Sequence, residues 1–157
     1  MQPIETLLSN YGSSHQNATN KLIHWLCVPA IMFSLLGILY AAPFPFLSEK
    51  TWYFNWAAIV LSAALVYYFR LSKPMFLGFL LIGILTLLGN HALALSVGDG
   101  TNMVNYSLSI FALAWVGQFI GHKIEGKKPS FLEDIQYLLI GPAWLMQFIF
   151  KKIGIKY

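Results

Sequence analysis

Five apolar runs, separated by polar or proline-containing turns, dominate the hydropathy pattern of this chain. They cover residues 25–42, 52–69, 75–97, 103–121 and 135–150. About 20 apolar residues suffice for a helix to cross the hydrocarbon core of a bilayer, so the first four runs predict crossing helices. The fifth contains Gly141-Pro142 and has only 16 residues, which predicts a re-entrant or interfacial helix. Residues 3–12 predict a short amphipathic helix on the membrane surface.

Composition supports an integral membrane protein. Hydrophobic residues make up 57% of the chain and charged residues 10%, whereas soluble proteins carry about 25% charged residues. We therefore expect an all-α helical bundle that forms a single membrane domain over residues 1–157. The net charge of +4 does not predict nucleic-acid binding, because the basic residues stand at the ends of apolar runs. Membrane lipid is the expected surrounding partner.

The distribution of basic residues predicts the topology. If the fifth run does not cross, nine of the ten lysines and arginines lie on one side of the membrane, with only Lys50 opposite. The positive-inside rule then favours four crossings with both termini in the cytoplasm. The membrane would be the inner membrane in a bacterium or the endoplasmic reticulum in a eukaryote.

Polar side chains concentrate just before the first apolar run. Asn17, Asn20 and His24 have the spacing of one helical face. Asn17 is either the N-cap of that helix or part of a functional site. His15 would fall on the opposite face of a continuous helix, so we expect it to precede the cap and fold back. Imidazoles at a membrane boundary favour a functional interpretation.

A second polar group closes the fourth run. Gln118, His122 and Glu125 are spaced i, i+4 and i+7 and share one helical face. The histidine and the carboxylate either bind one metal ion or pair with each other so that the carboxylate orients the imidazole. The alternative is an ordinary solvated helix end.

Four crossings place three of the four histidines of the chain at the same membrane face: His15, His24 and His122. Imidazoles with open coordination positions suit non-haem iron(II), and zinc accepts the same ligands. His91 is about 24 Å along its helix from Met75 at 1.5 Å per residue. Either Gly89 breaks that helix and lets His91 approach the others, or His91 is structural; the spacing favours the second.

Three motifs together resemble the 2-hydroxy fatty acid dioxygenase family of multi-pass membrane proteins. They are His15-x-Asn17-x-x-Asn20-x-x-x-His24 with Pro29, Gln118-Phe119-x-Gly121-His122-x-x-Glu125 with Pro129, and Gly141-Pro142. The resemblance implies an iron(II)-dependent oxidoreductase that uses molecular oxygen to remove one carbon from a 2-hydroxy fatty acid, an α-oxidation step. It also implies four iron ligands: His15, His24, His91 and His122.

This resemblance leads to a hypothesis for the other polar residues. A 2-hydroxy acid can chelate a metal through its carboxylate and hydroxyl, and the polar residues around the histidines would orient the reacting groups. These residues are Asn17, Asn20, Gln118 and Glu125. Attraction of the carboxylate to the membrane surface is a possible role for Lys123, Lys127 and Lys128, although positive-inside topology alone also accounts for them. The alternatives are a small transporter, or a haem-binding electron carrier that uses two of the histidines.

Overall fold

The computed structural model describes residues 3–46, 51–128 and 136–157, and the regular secondary structure of these residues is entirely helical. The six helices are α1 (Ile4–Ser13), α2 (Ala18–Ala41), α3 (Trp56–Leu71), α4 (Lys73–Val97), α5 (Thr101–Glu125) and α6 (Tyr137–Ile153). The prediction of an all-α membrane helical bundle is confirmed. Pro129, part of one motif above, lies outside the described residues.

Three of the helices, α2, α4 and α5, are long and apolar enough to cross a membrane. Their 24 or 25 residues correspond to about 36 Å at 1.5 Å per residue. The apolar helix α3 has 16 residues, because it begins at Trp56 and not at Trp52, where the apolar run starts. Asn55 fixes this starting point, because its side-chain oxygen accepts the backbone N–H of Ala58 at 3.0 Å and caps the N-terminus of α3.

The chain nevertheless traverses the bundle four times. Helices α2 and α4 run in the same direction, since Met32 and Ile82 border one cavity and, further along both helices, Tyr40 bonds His91. The chain must therefore return through α3 between them. Ser72 alone separates α3 from α4, and its hydroxyl accepts the backbone N–H of Met75 at the start of α4. We call the end of the bundle that holds the start of α2 and the end of α5 the histidine end.

Helix α4 is continuous through Gly89, so the break that would carry His91 towards the other histidines does not occur. The side-chain donors of the polar residue before it are paired within the bundle. Asn90 is fully buried, and its Nδ2 donates to the carbonyl oxygens of Phe33 and Thr86 at 3.1 and 3.0 Å. Asn90 thus ties α4 to α2 and avoids the cost of unpaired donors at this depth.

Helices α2 and α5 are antiparallel and pack closely, because small residues of α5 face α2. A Cβ added at Gly117 would lie 2.6 Å from Cys27 Sγ, and one added at Gly121 would overlap Asn20 Oδ1. Close backbone approach through small residues is a common way to pack helices in membranes. This contact sets the distance between His24 on α2 and His122 on α5.

We expect Gly117→Val to destabilise the protein by about 1–3 kcal/mol, because the new methyl groups cannot fit against Cys27 without moving α2 or α5. Thermal unfolding in detergent measures the change. Ala112→Val, at an exposed position on the same helix, is the matched control and should change stability by less than about 0.5 kcal/mol. Equal melting temperatures for the two variants would contradict this packing.

Helix α6 covers the histidine end of the bundle. Tyr68, near the end of α3, donates to the carbonyl oxygen of Leu139 at 2.7 Å. A Cβ added at Gly78, near the start of α4, would lie 2.9 Å from the ring of Phe150. Pro142 is accommodated inside the helix. Since these contacts are with the histidine halves of α3 and α4, α6 occupies one end of the bundle, as expected of a re-entrant or interfacial helix.

Candidate metal centre

Three histidines meet at the histidine end of the bundle, although His122 lies about 100 positions from the other two in the sequence. His15 lies in the turn between α1 and α2, His24 in the second turn of α2, and His122 in the last turn of α5. One nitrogen from each ring lies within 4.8 Å of the others. His15 and His24 are fully buried and His122 is 4% exposed. We call these three residues the histidine cluster.

Backbone hydrogen bonds fix the tautomers of the first two members. His15 Nδ1 is 2.7 Å from the carbonyl oxygen of Tyr11, and His24 Nδ1 is 2.9 Å from that of Asn20. A carbonyl only accepts, so each Nδ1 carries the proton and each neutral ring has a free lone pair on Nε2. The two Nε2 atoms are 3.0 Å apart. Lone pairs at this distance repel unless a cation lies between or beside them.

A proton is poorly suited to be that cation. Burial lowers the pKa of His15 to about 3, with the neighbouring imidazoles adding to the effect. His15 is therefore neutral at pH 7, which is the form that binds metals.

His122 is the third residue of a set that could hold a metal ion. Its Nδ1 is buried and has no hydrogen-bond partner, and its ring centroid lies 4.9 Å from that of His15 and 5.1 Å from that of His24. A buried imidazole nitrogen without a partner is costly. Three converging neutral imidazoles are a donor set for a first-row transition metal, so the residues present fit such an ion.

Aromatic side chains from α1 and α6 cover the cluster. The ring of Tyr11 stacks on His15 with a centroid distance of 4.1 Å, and the ring of Trp144 lies 5.2 Å from it. The sequence pattern places Tyr11 within the amphipathic stretch of residues 3–12 and indicates no role for Trp144. Only the folding of α1 and α6 onto the same end of the bundle brings them here.

Glu125 holds the turn that carries His15. Its two carboxylate oxygens accept the backbone N–H groups of Gln16 at 2.7 Å and Asn17 at 2.9 Å. The second oxygen also accepts Asn20 Nδ2 at 3.0 Å. The carboxylate is thereby occupied by three donors from the start of α2. Glu125 therefore fixes the turn that carries His15, and it does not bond the His122 imidazole as one of the interpretations from spacing expected.

The two asparagines serve the same turn. Asn17 is the N-cap of α2, because its Oδ1 accepts the backbone N–H groups of Thr19 and Asn20 at 2.9 and 3.3 Å. Asn20 is fully buried. Its side chain donates to Glu125, and its backbone carbonyl oxygen accepts the Nδ1–H of His24. The structure thus bears out the capping interpretation of Asn17 and the shared helical face.

Gln118 lies one turn deeper in α5 than His122. It is 5% exposed, and its Nε2 has no hydrogen-bond partner. Together with His122 and Tyr11 it borders a cavity of about 60 Å³ between α2, α5 and α6. The other lining residues are apolar or aromatic: Val28, Ile31, Met32, Trp115, Tyr137, Leu138, Gly141 and Pro142.

His91 is not brought to the histidine cluster. Its Nδ1 is 2.8 Å from Tyr40 Oη, and Tyr40 lies 16 residues after His24 on α2, or about 24 Å along the helix. This position agrees with the structural role favoured by spacing. It differs from the ligand role implied by the resemblance, because a continuous α4 holds His91 near the opposite end of the bundle.

The fold and the histidine cluster define a class: a multi-pass helical membrane protein with a buried three-histidine site suited to a transition metal. The chain matches, over residues 1–153, the family model described as "2-hydroxy-palmitic acid dioxygenase Mpo1-like". It belongs to this Mpo1-like family, which confirms the resemblance found in the sequence motifs.

A curated relative gives the same result. The chain is 31% identical over 156 residues to the 2-hydroxy-palmitic acid dioxygenase MPO1 of Saccharomyces cerevisiae, and the alignment covers 94% of this chain and 80% of the yeast protein. No solved structure matches the chain significantly.

Proposed function

We propose that this protein is an iron(II)-dependent dioxygenase that shortens 2-hydroxy fatty acids by one carbon. The observation that carries the proposal is the pair of facing Nε2 atoms of His15 and His24, 3.0 Å apart, with a ring nitrogen of His122 within 4.8 Å. Family membership supports a dioxygenase, and the name of the yeast relative supports a 2-hydroxy acid as substrate.

The proposed ligands of the iron are the three members of the histidine cluster. Zinc accepts the same donors, but it is not redox-active; iron(II) would supply the oxygen chemistry that the reaction needs. The ligands leave open coordination positions, which suits a substrate that chelates through its carboxylate and 2-hydroxyl.

The proposed reaction balances without a further reductant. The bond between C1 and C2 of R–CH(OH)–COOH breaks, C2 becomes the carboxyl carbon of R–COOH, and C1 leaves as CO2. This oxidation releases four electrons and four protons when water is counted as the source of the second oxygen, and these reduce one O2 to water. The net reaction consumes one O2 and forms one CO2 and one H2O per acid.

Residues of the chain position this chemistry. Glu125 and Asn17 hold the turn that carries His15, while Tyr11 and Trp144 shield the histidine cluster from water. Asn20 and Gln118 each have a buried polar atom without a partner, Oδ1 and Nε2 respectively. We assign these two residues to orienting the reacting groups, since ligand atoms would satisfy their free hydrogen-bonding capacity.

The geometry argues against the two alternatives. A haem with two axial histidines needs a porphyrin plane between the ligand nitrogens, and 3.0 Å between the Nε2 atoms leaves no room for one. A transport path would distribute polar groups through the depth of the membrane, whereas the histidine cluster and its partners lie at one end. We further propose a single membrane domain with both termini in the cytoplasm, since nine of ten basic residues would then lie on that side.

Metal analysis combined with oxygen uptake tests the proposal. Purified protein should contain about one iron per chain and should consume oxygen with 2-hydroxypalmitate, forming the 15-carbon acid. Palmitate, which lacks the 2-hydroxyl, is the control substrate and should give no uptake. A zinc-loaded protein that does not consume oxygen with any 2-hydroxy acid would overturn the proposal.

A further inference from the structure

A second cavity reaches the histidine cluster at His15 and shares no lining residue with the Gln118 cavity. It is a cleft of about 510 Å³ between α1, the start of α2 and the end of α6. Its lining includes His15 of the histidine cluster and the buried Trp144, together with two lysines, Lys21 and Lys151. We call this cavity the basic cleft. One carboxylate, that of Glu5, also lines it.

The lysines expected from the sequence to attract a carboxylate are placed differently. Lys127 Nζ donates to the carbonyl oxygen of Ser13 at 2.9 Å and so helps to hold the end of α1. Among the described residues that line the basic cleft, the lysines are Lys21 and Lys151. Lys21 is partly buried and Lys151 is exposed.

Each of these two lysines has an aromatic residue on the same face of its own helix. Trp25 lies four residues after Lys21 on α2, and Phe148 lies three residues before Lys151 on α6. The two rings meet across the helices at a centroid distance of 6.3 Å, and Trp144 continues the row 5.0 Å from Phe148. Trp25 and Phe148 are 40% and 37% exposed. The two lysines of the basic cleft therefore lie next to an apolar surface that is open to lipid.

This arrangement matches a single-chain amphiphile with an anionic head. We propose that the basic cleft is the site where a fatty acid carboxylate docks, paired with Lys21 and Lys151, while its chain lies over Trp25 and Phe148. The inference rests on the proposed function, because the head group would then be delivered beside His15. It deepens that function by naming two residues that select free acids over neutral lipids.

Binding of a non-reacting acid tests the cleft independently of turnover. Protein stripped of metal with a chelator is titrated with 9,10-dibromostearate, whose bromines quench nearby tryptophans, and with its methyl ester. Wild type should bind the acid more tightly than the ester. Lys21→Gln and Lys151→Gln should each weaken acid binding by about fivefold, as expected for one partly solvated ion pair, and should leave ester binding unchanged.

Lys152→Gln is the matched control, because Lys152 is an exposed neighbour of Lys151 that does not line the cleft. It should retain wild-type binding. In turnover, the two cleft variants should raise KM for 2-hydroxypalmitate by a similar factor with kcat unchanged. Acid binding by Lys21→Gln and Lys151→Gln equal to that of wild type would overturn the proposal.

Two other results would distinguish a fatty acid site from a phospholipid site and from the proposed dioxygenase activity. A brominated phosphatidylglycerol that quenches wild type as strongly as the acid does, in a lysine-dependent way, would assign the cleft to phospholipid and overturn the proposal. Lysine-dependent binding of the acid in a protein that shows no oxygen uptake would uphold the cleft as a fatty acid site while the proposed dioxygenase activity failed.

Discussion

Replacing His122 with alanine is expected to remove both the bound metal and the conversion of 2-hydroxypalmitate. His122 is the only member of the histidine cluster from α5, and without it His15 and His24 alone face the ion. Loss of a residue that merely orients a metal ligand costs about 10–100-fold in affinity or activity, so loss of the ligand itself should exceed about 100-fold. Elemental analysis of the purified variant and mass spectrometry of the 15-carbon product measure the two effects.

The His122→Ala protein should remain folded, which separates loss of the site from loss of the structure. The Nδ1 atom of His122 has no hydrogen-bond partner to lose, so circular dichroism and the melting temperature should stay close to those of chelator-treated wild type. His91→Ala is the control histidine, because His91 bonds Tyr40 away from the cluster. It should retain iron and activity. Full activity in His122→Ala, or loss of iron in His91→Ala, would refute the proposed ligand set.

Replacing Glu125 with alanine should weaken metal binding by about 10–100-fold without removing any ligand. Three donors lose their acceptor: the backbone N–H groups of Gln16 and Asn17 and the side chain of Asn20. The turn that carries His15 is then no longer held to the end of α5. Hydrogen bonds to a charged group contribute about 1.5–3 kcal/mol each. Glu125 is partly exposed, so we expect the total loss of stability to lie near the lower value. Metal affinity from chelator competition and thermal unfolding report the two changes.

Conservative and distant replacements test whether Glu125 acts by positioning. Glu125→Gln keeps one side-chain oxygen as an acceptor and should recover part of the metal affinity. Lys128→Ala, an exposed change at the same end of the bundle, should behave as wild type. If Glu125→Ala held iron as tightly as wild type, the turn would not depend on this carboxylate, and Glu125 would have no positioning role.

Much of the fold followed from apolar run lengths alone. A helix must satisfy its own backbone hydrogen bonds in lipid, so each long apolar run had only one regular structure available to it. Run length did not give the start of α3, because the cap formed by Asn55 decides where the helix begins. Nor did the polar group around Asn90 mark a break in α4, because its donors find carbonyl partners on α2 and α4.

Some features of the candidate site also followed from the sequence, and others did not. Helical spacing grouped Asn17 with Asn20, and both take part in the turn at the start of α2. It predicted that Glu125 pairs with His122 or binds the same metal ion, whereas the carboxylate bonds Gln16, Asn17 and Asn20. Spacing could not show that Glu125 bonds the turn before α2, since that contact joins residues more than 100 positions apart. It also gave no sign of Trp144 beside His15 or of Lys151 across from Lys21.

The sequence by itself determined that this is an all-helical protein of the Mpo1-like family with apolar runs long enough to cross a membrane, because hydropathy and motifs are read along the chain. It also predicted three histidines at one membrane face. The tertiary structure alone decided that these histidines converge on one point, that His91 stays apart, and that α1 and α6 cover the cluster. Convergence depends on how closely α2 and α5 pack and on where the terminal helices fold back. These are contacts between distant residues, and no local pattern contains them.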